Sequence, residues 1–82
     1  MRREVLISEI IKFCLDYGVL INENEIKTNI ENGLSEADFI ESLINMIIIK
    51  SKKSFGLDIR RVKELLIELE KIRLELEYKD YK

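Results

Sequence analysis

Three times along the chain, a residue whose side chain ends in an oxygen acceptor sits between two apolar residues spaced five apart. The triples are Ile21, Asn22 and Ile26; Leu34, Ser35 and Phe39; and Leu57, Asp58 and Val62. Each middle residue is placed to accept from the unpaired backbone N–H groups of a coming first helical turn, and each apolar pair is placed to close over that turn as a staple. The pattern predicts helix starts just after Asn22, Ser35 and Asp58, following a helix that opens the chain.

That opening helix is expected over about 3–17. At about 100° per residue, Leu6, Ile7, Ile10, Ile11, Phe13, Cys14 and Tyr17 share one broad face, while Ser8, Glu9, Lys12 and Asp16 share the other, with Val5 and Leu15 flanking or interrupting the polar arc. Gly18 is the expected stop, because glycine accepts the left-handed conformation that closes a helix C-terminus. Val19 and Leu20 are expected to carry the connection across the core. A short second helix over about 23–32 offers only Ile26 and Ile30 to the interior; its asparagines are mediocre helix formers, and Asn32-Gly33 ends it.

The third helix, about 36–50, turns apolar nearly all round from 43 to 49, with Asn45 the exception. Such a circumference calls for partners on several sides and makes this the expected central element. Isoleucine also favours strands, but the run 46–49 has no second strand to pair with. After a polar, basic connection over 51–56, the fourth and longest helix is expected over about 59–78. Its core face is Ile59, Val62, Leu65, Leu66, Leu69, Ile72 and Leu76, including coiled-coil spacing from Val62 to Leu76 over too few heptads for an extended coiled coil. Arg60 with Glu64, Lys71 with Glu75, Arg73 with Glu77 and Glu75 with Lys79 are opposite charges at i, i+4, the pattern of a solvated surface. The fold class that follows is all-α: one domain, a compact bundle of four helices, the third most buried and the fourth longest.

Composition narrows the function classes. A chain of 82 residues buries only about 60% of its unfolded surface, so a deep substrate cleft is not expected. There is no His, which removes the commonest general base and metal ligand. Cys14, the one cysteine, has no intramolecular disulfide partner, and a small domain without disulfides fits a reducing compartment, so a cytoplasmic location is expected. Arg2 and Arg3 precede an apolar stretch as in a signal peptide, but Glu4, Glu9, Lys12 and Asp16 interrupt it. The longest apolar run, 46–49, is far short of a membrane span, and no membrane partner is expected. The abundance of Ile, Lys, Asn and Glu fits an AT-rich bacterial or phage genome.

Charge is distributed unevenly. Residues 1–49 carry four basic and nine acidic side chains (net -5), 50–63 carry six and one (net +5), and 64–82 carry four and six (net -2). The basic group Lys50, Lys52, Lys53, Arg60, Arg61 and Lys63 is a candidate contact for an anion or a phosphate backbone. Against it stand the acidic balance of the whole chain, the lack of an aromatic or glycine-rich platform beyond Phe55 and Gly56, and the position of Arg60 and Arg61 in a first helical turn, where the dipole favours anions.

A second apolar line on the fourth helix is the other candidate. Ile67, Leu74 and Tyr78 project about 100° or more from the core stripe, and Tyr81 joins them if the helix persists. They form either a partner or dimer surface using amphipathic tyrosines, a stripe covered by the first helix, or scattered surface apolars. A helix-turn-helix over 33–39 would open its recognition helix with Glu36, Asp38 and Glu41 facing phosphates, so nucleic acid is an unfavoured partner. Cys14 lies on an apolar face without a His partner, and Asn22, Asn24 and Glu25 lack the glycine and terminal glutamate of a calcium loop, so no catalytic residue, metal or cofactor is expected. These patterns lead to the expectation of a non-enzymatic protein-binding or regulatory module, partnered by another protein or by a second copy of itself as a homodimer.

Overall fold

A computed structural model describes residues 3–53 and 56–80, and over these the chain is all-helical. The helices are α1 (Arg3–Asp16), α2 (Glu23–Asn29), α3 (Glu36–Lys53) and α4 (Ile59–Asp80). All three caps form. Asn22 Oδ1 accepts from the Glu25 backbone N–H at 2.9 Å, Ser35 Oγ from Asp38 at 3.2 Å and Asp58 Oδ1 from Arg60 at 3.0 Å. The stapling residues Ile21, Ile26, Phe39 and Val62 are buried, with Leu34 and Leu57 packed against them at the margin of the core.

The end of α1 is a Schellman motif. Gly18, at φ +78°, donates to the Leu15 carbonyl at 2.8 Å, and Val19 reaches back to the Cys14 carbonyl at 3.0 Å. Val19 and Cys14, the two residues this motif brings together, are both fully buried. Leu20 corrects the expectation for this connection: it is 70% exposed, because the next inward position in the extended segment after Val19 is Ile21.

Three boundaries also differ from those the periodicity predicts. Helix α2 ends at Asn29 rather than near Asn32: Ile30 is extended (φ -120°, ψ 126°), which keeps its side chain in the core while its N–H still donates to the Ile26 carbonyl at 2.9 Å. Helix α3 continues through Lys53, so the first half of the expected basic connection is a helical last turn, where Lys50, Lys52 and Lys53 complement the carbonyl end of the dipole. Helix α4 runs two residues further than expected, to Asp80, and at 22 residues it is the longest.

Helices α3 and α4 form the main packed pair. They run antiparallel, since Ser35 and Glu36 stand beside Leu76 and Lys79 at one end and Ile48 and Ser51 beside Val62 and Leu66 at the other. Helix α3 buries Ala37, Phe39, Ile40, Leu43 and Ile47, more than the Ile7, Ile10 and Cys14 of α1 or the Val62, Leu65 and Leu69 of α4. Burial takes about 2 kcal/mol per fully covered aliphatic side chain out of water, so this row is the main source of cohesion. One residue of the expected α4 core face is misplaced: Ile59 is 68% exposed, because it lies in the first turn, level with the point where α3 runs out. Among the described residues no helix is long and apolar enough to cross a membrane.

Candidate functional site

The second apolar line of α4 lies open to solvent. Ile67 is 57%, Leu74 51% and Tyr78 67% exposed, so α1 does not cover them. Tyr81 lies outside the described residues. The three repeat at steps of seven and four, which on an α-helix returns each side chain to nearly the same direction. Lys71 stands within the line and Glu68 and Glu75 beside it; Lys71 Nζ meets Glu68 Oε1 at 3.3 Å, one turn before it, rather than the expected Glu75 one turn after.

The opposite flank of α4, toward α3, carries an ion-pair cluster around Arg73. Its guanidinium donates to Glu77 Oε1 at 2.6 Å and to both oxygens of Glu70, with Nε at 3.1 Å from Oε2. The hydrogen bond from Arg73 holds the Glu70 carboxyl below the usual glutamate range, and the same bond, with the nearby charges of Glu70, Glu77 and Glu41, holds Arg73 firmly charged. The Arg73 and Glu77 pair was expected from spacing. The i, i+3 bond to Glu70 and the influence of Glu41 were not, since the latter depends on α3 lying alongside.

The six cations of 50–63 do not gather in one patch. Lys50 turns toward α2 and forms a half-buried ion pair with Glu25 at 3.0 Å, beside a polar hollow of about 460 Å³ that Lys53 also lines. Arg61 lies against Gly18, at the carbonyl end of α1, a helix with no basic residue in its own last turn. Lys52 and Lys63 line a different recess, a cleft of about 550 Å³ between the end of α3 and the start of α4, walled by Ile48, Leu57, Ile59 and Leu66. Arg60 is exposed in the same first turn of α4.

Periodicity missed this cleft because it assigned Ile59 to the core. The available signal was the helix ends themselves, since two antiparallel helices joined by a reversal leave apolar residues uncovered where one stops short. The hollow beside Glu25 and Lys50 had no local signal, its two charges being 25 residues apart in sequence.

The Cys14 thiol is buried, and desolvation pushes it up to about 11. Among the described residues no three His, Cys, Asp or Glu side chains gather in a way that could hold a metal ion. The described residues form two surfaces: one apolar line with charged neighbours and one apolar cleft with lysines at its edge. Comparison with protein families, with curated proteins and with solved structures finds no match.

Proposed function

We propose that this chain is a non-enzymatic protein-binding module that works through the outward face of α4, with a second copy of itself as its simplest partner. The observation that carries the reading is the exposure of Ile67, Leu74 and Tyr78 along one line of the longest helix. Large apolar side chains aligned on one face and bordered by charge are what a partner surface offers, and the tyrosine contributes an apolar ring with a polar tip. A surface that pairs with itself closes into an isologous dimer and stops there. Cytoplasmic residence belongs to the same proposal and rests on the single cysteine.

Sedimentation velocity or light scattering over a concentration series tests it. A shift from one to two copies with rising concentration is expected, and Leu74→Glu with Tyr78→Glu should abolish it while leaving the helical signal intact. A strict monomer at high concentration removes the dimer, and a dimer indifferent to the double variant removes this surface.

A second reading, an anionic partner or nucleic acid bound by the 50–63 cations, has support in Lys52, Lys53, Arg60 and Lys63, none of which forms an ion pair among the described residues. Binding of this kind weakens steeply with salt. The absence of any mobility shift with duplex or single-stranded nucleic acid at low salt would remove the nucleic-acid form of it.

A further inference from the structure

Helix α2 is the shortest of the four and the most thinly attached. Its seven residues fall well below the roughly 12 to 15 at which an isolated helix begins to hold itself together, so its closure depends on what it touches. Ile26 is the one side chain it buries, whereas α3 buries Ala37, Phe39, Ile40, Leu43 and Ile47. Its two ends are fixed independently of the helix. Asn22 and Ile30 are extended, and the side chains of Ile21 and Ile30 lie in the core on either side of it.

A polar contact ties α2 sideways to α3. Lys50 Nζ reaches both carboxylate oxygens of Glu25, at 3.1 and 3.0 Å, and the Asn22 amide donates to Oε1 of the same carboxylate at 3.4 Å. The cap of α2 and the last turns of α3 are thereby joined through one side chain. The pairs Lys27–Glu23, Lys71–Glu68, Arg73–Glu70 and Arg73–Glu77, by contrast, each stay within a single helix. Glu25 and Asn29 also form the α2 wall of the hollow of about 460 Å³, whose other lining residues, Lys50 and Lys53 among them, all come from α3.

We propose that α2 is a removable wall of this hollow: it unwinds on its own between Ile21 and Ile30 while the rest of the fold stays closed, and the Glu25–Lys50 ion pair is the latch that holds it shut. Neither anchor has to move, because the stretch from Asn22 to Ile30, once extended, reaches more than twice as far as it does in the helix. Opening gives up one core side chain and one ion pair between helices, whereas unwinding α3 gives up a whole row of the core. Segments with so little buried against them are the ones that open below the threshold of global unfolding. With the wall gone, the hollow becomes an open face of α3 presenting Ser42, Asn45, Met46 and Ile49.

Native-state hydrogen exchange on the full chain, followed residue by residue across a series of low denaturant concentrations, tests this. After correction for intrinsic rates, the Ile26 and Ile30 amides, which donate within α2, should exchange at least about tenfold faster than those of Leu43, Ile47 and Leu65, and with little dependence on denaturant. Lys50→Met keeps the aliphatic stem and removes the charge. It should speed the α2 amides by about threefold to fivefold and leave the α3 and α4 core amides unchanged. Glu25→Gln should act on the same amides, and the double variant should open little more readily than Lys50→Met alone, because the two changes remove one interaction. Ile26 and Ile30 amides that exchange only with global unfolding overturn the proposal. So does a Lys50→Met effect spread equally over α2, α3 and α4, or the absence of any effect on α2.

Discussion

Helices α3 and α4 pack against each other, yet they use their apolar residues in opposite ways. In α3 the apolar residues run around most of the circumference from Leu43 to Ile49, and the neighbouring helices cover most of them: Leu43 and Ile47 are fully buried, Ile44, Met46 and Ile48 partly so, and only Ile49 is largely exposed. In α4 the apolar residues form two separate lines. One, from Val62 to Leu76, is buried or partly buried; the other, Ile67, Leu74 and Tyr78, faces water. Apolar character alone does not place a residue in the core. What decides it is whether a second element passes within reach, and α4 has its neighbours on one side.

Core truncations sharpen this contrast most. Leu43→Ala or Ile47→Ala should cost about 2 to 5 kcal/mol by opening a cavity in a small core. Leu74→Ala, measured below any concentration at which copies associate, should stay within about 0.5 kcal/mol. Denaturant melts of the three variants rank them, and a Leu74→Ala cost equal to the core values would mean that the outer line of α4 is covered within a single copy.

The next effect comes from Cys14, which α1 contributes to the same core. An unfolded chain ionises this thiol near its ordinary value of 9.0, whereas the folded chain holds it to about 11. The buried neutral thiol thus contributes stability that is fully present below pH 9 and is lost as pH rises through the folded value, a decline on the order of 2 kcal/mol. Unfolding free energies measured between pH 8 and 11 for the parent and Cys14→Ala check it: the slope should vanish in the variant, and an unchanged slope assigns the decline to other groups.

Capping ranks third. Ser35→Ala removes the acceptor for the Asp38 N–H at the start of α3 and should cost about 1 kcal/mol. In the same denaturant series it should fall below Leu43→Ala. If it equals or exceeds both core truncations, α3 is held by its end rather than by its flanks, and the contrast with α4 fails.

The smallest effect is expected on the flank of α4 beside α3. Glu70 is held below the ordinary glutamate value of 4.5 by its hydrogen bond from Arg73. The stability this contributes is present above that value and is lost as pH falls through the lowered one. Because the cluster is partly exposed, salt should weaken it further. Acid titrations of stability for the parent and Arg73→Gln, at low and high salt, should show a shallower acid limb in the variant only at low salt.

Much of this fold was legible in the residues themselves. The three capped starts, the Gly18 stop, the inward face of α1 and the centrality of α3 all follow from interactions within about a turn of each other, or from periodicity along one helix, and such interactions are encoded in adjacent positions. What the sequence could not determine depends on where other elements pass. Ile30 left α2 to stay in the core; Ile59 lost its cover because α3 ended beside it; Lys50 found Glu25 and Arg61 found Gly18 across the fold; and Glu41 came within reach of Arg73. The outer line of α4 is the clearest case. Its spacing was readable from Ile67, Leu74 and Tyr78 alone, but their exposure was settled only when α1, α2 and α3 packed elsewhere, because burial is a property of neighbours and not of the residue buried.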